Sequence, residues 1–532
     1  MYVPKKFGIA VNNQNKIINL TWVFLWTILL VTFVIFLPGF SEFDTSKYLK
    51  ISQDMMQQHN YLLAFWEGQP YSDKPPLLFW LIIGGWKIFG PVLWWPQFIV
   101  LALATLSLLI TQQLAKMLWP DKPRIAQIVP FILIGCFAWI SCAKQIRVDS
   151  ILAFATLFSF YSIIKCIQGQ KKYWFFYICA IGLGGFAKGP VILVFVLLPV
   201  IFIPLLIPHK DKITPGWYGL LALTTIVGLC LPLLWAIPAA VLGGKAYAQE
   251  IFYRQISHRA NLHEESFFFY LVRLPIWLFP WTIYPPLWKG LKSLKITTTE
   301  VVCLIAIVCS LIIFSVFGQK LPHYIYPLFP IFALLIARLC DNYARFQDKD
   351  QWPIAISIAG FAIFCLLYPY INSILPEKVF VRSYFLQEIN LKTWASVFMV
   401  MSILLFFIKF KTQTLQIIAI ALSCAVITVF VNDHLLPIYQ KHINNQYLFE
   451  YLATAAREHR TIVASGNFED QELLNLIRQQ HIQIIPHNEL PQWINQHSDA
   501  WLLTTSTQDL HHRLQPNIWF YQTRYSIVSL WH

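Results

Sequence analysis

Two short polar stretches hold the groups best suited to chemistry in this chain. Asp44 closes the first long apolar segment, and Asp73-Lys74-Pro75-Pro76 comes before the next. A polar stretch between membrane-length segments can lie at the water interface or enter a cavity, but it cannot face lipid without partners. Carboxylates and ammonium groups held at that boundary suit a substrate with a lipid tail and a phosphate head.

Asp44 precedes a pattern that sets Tyr48, Ile51 and Met55 on one helical face and Lys47, Lys50 and Asp54 elsewhere. This predicts an amphipathic helix along the membrane with Asp44 at or near its N-terminus, where free amides favour a charged carboxylate. The plainer role for Asp44 is a helix cap, for which Glu42 and Thr45 compete. Lys47 is one turn on, close enough to share a site or to form an i,i+3 pair. The prolines after Asp73-Lys74 disfavour a helical Lys74, so the charged pair should sit on a stiff, extended corner. A lysine presented that way can hold a phosphate as a point charge.

Further polar groups fall at junctions between apolar spans. Lys188 lies between Gly185-Phe186-Ala187 and Gly189-Pro190, so its ammonium must snorkel or find an anion. Arg147 and Asp149 occupy a similar junction, where a mutual pair or a bundle-stabilising network is the alternative to a site. The stretch 254–270 holds Arg254, His258, Arg259, His263, Glu264, Glu265 and Tyr270. Its histidines lack the compact spacing of a zinc helix motif, and its arginines suit a phosphate better. Lys320-Leu321-Pro322-His323-Tyr324 opens another span, and Lys320 and Tyr324 could position a headgroup.

The elements that must hold these groups are apolar helices. Of 532 residues, 57% are hydrophobic and only 12% are charged, about half the charge usual for a soluble chain. Stretches such as 192–206 have no polar face, which excludes a large soluble helical core. Aromatics near span ends fit interfacial belts. The net charge of +14 suits membrane topology and anionic headgroups rather than nucleic acid. The first span, 20–38, is too long for a signal-peptide core and has no small-residue cleavage site after it, so it reads as a retained anchor.

Thirteen spans are expected, near 20–38, 94–116, 125–143, 149–166, 173–187, 189–208, 217–240, 267–287, 298–317, 323–340, 353–373, 393–409 and 414–431. Segment 76–90 is short, is broken by Gly84 and Gly85, and carries Lys87, so it should lie on or dip into the outer interface. Without it, Lys122/Arg124, Lys171/Lys172, Lys210/Lys212, Lys289/Lys292/Lys295 and Lys409/Lys411 share the side of Lys5 and Lys6. That side is cytoplasmic by the positive-inside rule. The first loop with its continuation (41–93), the loop at 241–266, Lys188 and the 318–322 turn then gather outside.

The tail changes character near Asn432. Strands are expected at 461–465, 481–485, 501–505 and one or two over 518–530, with a helix at 471–480. The chain thus divides into a membrane domain, 1–431, and a small soluble α/β domain, 432–532. The ten cysteines lie in or beside apolar segments without ligand-like spacing, and the last hundred residues have none.

Asp44 to Met55, then Tyr71-Ser72-Asp73-Lys74-Pro75-Pro76 at matching spacing, resembles the first outer loop of polyprenyl-phosphate-sugar glycosyltransferases of the GT-C fold. The likeness is greatest to bacterial lipid A aminoarabinose transferases and bacterial relatives of protein O-mannosyltransferases. It continues at Arg147-Val148-Asp149, Ala187-Lys188-Gly189, Arg259 to Tyr270 and Lys320 to Ile325. With the spans and tail pattern read above, the resemblance implies an all-α polytopic membrane bundle of the GT-C type, about 13 transmembrane helices with a small C-terminal α/β periplasmic domain. It also implies inverting transfer, on the periplasmic face of the bacterial inner membrane, from an undecaprenyl-phosphate-linked sugar.

By that resemblance Asp44 sits at the catalytic centre. Lys47 stands where the aminoarabinose enzymes usually have arginine, Asp73-Lys74 where they have Glu-Lys, Thr45 where glutamate is common, and Arg254 at an acidic position. These departures leave the sugar and acceptor open. Lipid A, another envelope glycan and a protein all fit as acceptor.

Transfer would need cations near the departing phosphate, with Lys47, Lys74, Lys188 and Arg259 as candidates. Asp73, Asp149, His263, Tyr270, Lys320 and Tyr324 would position substrate. No protein-only ligand set demands a metal, although a divalent cation could orient the acceptor. The reading from a different class is a polyprenyl-linked glycan transporter. Ion-coupled transport would place ionisable groups mid-helix, whereas these cluster at helix ends.

Overall fold

The computed structural model describes residues 43–66, 69–206, 214–251, 266–317, 320–343, 346–374 and 390–435, residue 489, and strand segments within 462–531. The chain divides into two compact units: Met1–Ala359 with Val400–Val429, and Gly360–Met399 with Phe430–His532.

The first unit opens with the polar helix α1 (Phe43–Gln57). Tyr48, Ile51 and Met55 on its inner face are buried, as the periodicity predicts. An antiparallel hairpin follows, β1 (Phe65–Trp66) with β2 (Gln69–Pro70), which period-based reading missed because each strand is two residues long. Helix α2 (Leu77–Phe89) then packs Leu78, Phe79, Ile82 and Trp86 inward. It is a short apolar helix of 13 residues, too short to cross a bilayer unaided.

The bundle continues with α3 (Trp94–Leu118), α4 (Pro123–Ile134), α5 (Phe137–Ala143), α6 (Asp149–Ile167), α7 (Tyr173–Lys188) and α8 (Ile192–Leu206). Next come α9 (Pro215–Cys230), α10 (Leu233–Gln249), α11 (Phe269–Trp277), α12 (Pro285–Ser293), α13 (Thr298–Val316) and α14 (Phe329–Asn342). Helices α15 (Trp352–Ile374) and α16 (Leu391–Phe407) each belong in part to both units, and α17 (Gln413–Phe430) completes the series. Large apolar side chains such as Val241, Val316 and Phe407 are strongly exposed, as expected where the surrounding solvent is hydrocarbon. The protein is a multi-pass membrane protein.

Among the described residues, seven helices are long and apolar enough to cross a membrane, or eight if the bent pair α4–α5 counts as one. The expected thirteen are not reached, for local reasons. Segment 20–38 lies outside the described residues. Segment 173–187 and most of 189–208 fall within one 30-residue candidate, Tyr173–Phe202. Segment 353–373 falls on α15, a helix of 23 residues, and segment 393–409 on α16, a shorter apolar helix of 17. Segment 267–287 is not one span. Pro275, Pro280, Pro285 and Pro286 remove amide donors and split it into α11, a 3-10 turn at Trp281–Ile283, and α12.

The α4–α5 bend of 65° is seated by close packing. A Cβ at Gly135 would lie 2.7 Å from the Trp281 ring and 2.9 Å from the Ala421 backbone. Trp281 is fully buried there and donates its indole N–H to the Ile132 carbonyl at 2.7 Å.

One end of this unit is tied by a polar network. Arg338 Nε meets Glu300 Oε1 at 2.6 Å, and the Trp119 indole donates to the same oxygen at 3.1 Å. Glu300 also closes a capping box on Thr297 at the start of α13. Lys289 pairs with Asp350 at 2.7 Å, and Lys122 with Asp341 at 3.7 Å.

The second unit holds a five-stranded mixed sheet, β3 (Ile462–Ser465), β4 (Gln483–Ile484), β5 (Trp501–Thr504), β6 (Ile518–Tyr521) and β7 (Ile527–Trp531). Strand order is β4-β3-β5-β7-β6. β3 runs parallel to β4 and β5 (Val463 opposite Gln483 and Leu502), and β7 runs antiparallel to β5 and β6. The helix expected at 471–480 lies outside the described residues.

Candidate active site

Asp149 is the first residue of α6 and Lys188 the last of α7. Each charge thus sits at the helix end whose dipole favours it. Gly189, at φ 63°, adopts the left-handed conformation that ends α7 beside Asp149. Lys188 Nζ reaches Asp149 Oδ1 at 2.7 Å, and both side chains are 6% exposed. The ammonium also lies 4.3 Å from the centre of the Tyr324 ring. A buried pair with a cation–π contact is stable only when both partners stay charged and in place.

Tyr324 belongs to a 3-10 helix, Pro322–Leu328, shaped by Pro322 and Pro327. Beside it, the Arg147 guanidinium hydrogen-bonds the His323 ring at Nδ1. Guanidinium has only donors, so that ring nitrogen accepts. Below them Tyr326 stacks on Trp139 at 4.6 Å, fixing the 3-10 helix against α5. Tyr270, on α11, is buried and donates its hydroxyl to the Leu321 carbonyl at 3.4 Å. Lys320 is buried at the mouth of the same turn.

The first loop supplies a second set of charges. Lys74 pairs with Asp73 at 2.6 Å, with Lys74 mostly covered and Asp73 half exposed. Lys47, on α1, lies 4.5 Å from the Tyr71 ring and 6.0 Å from that of Trp66. The Lys74 ammonium is near enough to act electrostatically on His323. Residues about 250 positions apart in the chain therefore share one electrostatic neighbourhood.

The expected residues are distributed as follows. Asp149, Lys188, Tyr324, Tyr270 and Lys320 gather at the junction, and Lys74 approaches it carrying Asp73. Lys47 stands with Tyr71 on the first loop. Asp44 is the second residue of α1, as its position in the pattern predicts. Arg254, His258, Arg259, His263, Glu264 and Glu265 lie outside the described residues.

Asp149 meets Lys188, and Arg147, whose charge also acts on Asp149, meets His323, so the two lie in a network rather than in an isolated pair. His323, Tyr71 and Trp66 were missed. His323 lies inside the Lys320–Tyr324 stretch, and its position between two candidate side chains is the available signal. Among the described residues, no group of three His, Cys, Asp or Glu side chains converges to hold a metal ion.

The chain is similar to several known proteins. Residues 73–235 match the family model described as dolichyl-phosphate-mannose-protein mannosyltransferase. A Yersinia pestis protein named undecaprenyl phosphate-alpha-4-amino-4-deoxy-L-arabinose arabinosyl transferase is 27% identical over 314 residues. That alignment covers 57% of this chain and 55% of the relative. A Serratia proteamaculans protein of the same name is 25% identical, over 61% of this chain and 60% of its own length. The chain thus spans little more than half of these relatives.

Over the whole chain the likeness is one of fold. The crystal structure of ArnT from Cupriavidus metallidurans bound to undecaprenyl phosphate superposes with a TM-score of 0.64 at 16% identity. It covers 96% of this chain and 98% of ArnT. The apo form of the same protein gives a TM-score of 0.66 at 17% identity. The chain shares the fold of that ArnT structure. The 73–235 match contains Asp73, Lys74, Arg147, Asp149 and Lys188, while Lys47 and Lys320 lie outside it.

Proposed function

We propose that this protein is a GT-C glycosyltransferase that transfers a single sugar from undecaprenyl phosphate to an envelope acceptor, with lipid A the leading candidate and 4-amino-4-deoxy-L-arabinose, another aminosugar or a hexose as the sugar. The observation that carries this reading is the buried Lys188–Asp149 pair, set under Tyr324 and approached by Lys74. A polyprenyl-phosphate sugar offers a phosphodiester anion on an apolar tail, which gains a second negative charge as the sugar leaves, and fixed cations at the end of an apolar bundle match that change.

In the reaction, an acceptor oxygen attacks the anomeric carbon as the bond from that carbon to the phosphate oxygen breaks. The electron pair leaves with the phosphate, where Lys74, Lys47, Lys188 and Arg259 stabilise it. Asp44 deprotonates or orients an acceptor hydroxyl. With an ionised phosphate as acceptor no proton moves, and Asp44 orients the sugar or the acceptor instead. Asp73, Asp149, His263, Tyr270, Lys320 and Tyr324 position the two substrates.

The charge asymmetry of the loops supports an inner-membrane location with the N-terminus in the cytoplasm. The site and the C-terminal sheet unit would then face the periplasm. A second reading, protein O-glycosylation, draws support from the mannosyltransferase description of the 73–235 match. Comparing the masses of lipid A and of envelope glycoproteins with and without the gene separates the two. Loss of one sugar mass from lipid A supports the first reading, and loss from proteins supports the second. No change in either class, with polyprenyl-linked glycan accumulating on one face, would point to a transporter.

A further inference from the structure

The first loop is held by side chains far from it in sequence. Between α1 and α2 the chain folds back on itself at β1–β2, and its backbone groups take partners from outside the loop. The Trp80 indole donates to the Tyr61 carbonyl at 2.7 Å, and the Trp235 indole to the Leu62 carbonyl at 2.9 Å. The two legs join where Tyr71 N–H donates to the Ala64 carbonyl at 2.8 Å. At that point sits the Tyr247 hydroxyl, which accepts from Ala64 N–H at 3.3 Å and donates to the Tyr71 carbonyl at 3.4 Å.

Helix α10 is built to deliver this phenol. Gly244, at φ 74°, kinks the helix three residues before Tyr247, a conformation that strains any residue with a side chain. A Cβ on Gly243 would fall 2.6 Å from Tyr247 Cβ and Cγ. The two glycines therefore make the seat for the ring. Tyr247 is buried with Trp235, Ala236 and Ala239 against Leu62, Leu63 and Trp80. Burial raises its pKa, so the hydroxyl stays protonated and able to donate at physiological pH.

We propose that Tyr247 is a positioning residue for phosphate recognition, acting as a latch across both legs of the first loop. Its bond to Tyr71 fixes the residue whose ring supports the Lys47 ammonium and whose backbone leads, three positions on, to Lys74. One phenol on α10 thus sets the placement of both first-loop cations. The proposal rests on the reading that those cations meet a polyprenyl phosphate.

The test is the affinity of the purified full-length protein in nanodiscs for undecaprenyl monophosphate, measured for wild type, Tyr247→Phe, Trp235→Phe and Lys74→Ala. Tyr247→Phe removes one oxygen and both latch bonds, so affinity should fall about 5- to 10-fold. With a sugar-loaded donor, KM for the donor should rise by the same factor while KM for the acceptor is unmoved, a split that general loosening would not produce. Trp235→Phe should show a smaller loss in the same direction. If Tyr247→Phe binds like wild type while Lys74→Ala is impaired, the latch is refuted and the phosphate reading stands. If Lys74→Ala also binds normally, the phosphate reading itself fails. Should Tyr247→Phe not fold, Trp235→Phe decides, and unchanged binding there overturns the proposal.

Discussion

Removing Asp149 and Lys188 separately and together distinguishes a structural ion pair from one that serves chemistry. Their charged atoms are 2.7 Å apart and each side chain is 6% exposed, so little solvent screening reaches them. Asp149→Asn leaves an ammonium buried without its counterion and should cost about 3–5 kcal/mol of stability. Replacing both with apolar residues of similar volume, as in Asp149→Leu with Lys188→Met, removes the unpaired charge. That double variant should recover to within about 1 kcal/mol of wild type or exceed it.

Activity should not recover with stability. If Lys188 stabilises charge on the departing phosphate, its loss raises the barrier by about 2–4 kcal/mol, or roughly 30- to 1,000-fold in rate. The assay pairs thermal unfolding in detergent with sugar transfer from a polyprenyl-phosphate donor. A double variant that is both stable and fully active would refute the reasoning, because the pair would then be bundle architecture alone.

At the other end of the bundle, the network should govern stability without touching substrate. Arg338→Met strands Glu300, which is 1% exposed, and should destabilise by about 3–5 kcal/mol while donor KM stays unchanged. Gly290→Ala should also lower the melting temperature, since its Cβ would sit 2.0 Å from the Leu339 carbonyl oxygen. Overpacking of that kind costs about 1–3 kcal/mol, and an unshifted melting curve would mean that α12 moves away freely. Charge reversal at Lys74 (Lys74→Glu) should weaken donor binding far more than it affects membrane insertion, and equal donor kinetics would remove Lys74 from the site. Asp44→Asn should abolish transfer to a hydroxyl acceptor, and a normal rate would end its catalytic assignment.

Local patterns made some of this legible in sequence. The spacing of Tyr48, Ile51 and Met55 gave the buried face of α1 and placed Asp44 in its first turn. The alternating runs near 462, 483, 501 and 518–531 gave the strands of the second unit. Pairings across the chain were hidden. Nothing near Lys188 names Asp149, 39 positions earlier, as its partner, and Tyr247 lies 183 positions from the amide it accepts.

Span counting failed where hydropathy and helix geometry diverge. Segment 267–287 is apolar but for Arg273 and Thr282, yet its four prolines prevent a continuous helix. Hydropathy likewise gave no sign that Gly135 would bend 125–143 by 65° around Trp281.

The central claim is that first-loop cations and the α6–α7 junction serve one phosphate. An undecaprenyl phosphate analogue with a photoreactive group beside its phosphate tests this most directly, by mapping adducts on the full-length protein. Adducts should fall together on the peptide around Lys74 and on those around Asp149, Lys188 and His323–Tyr324, and excess undecaprenyl phosphate should compete them away. Adducts confined to the opposite end of the bundle, around Lys122 and Lys289, would contradict the account.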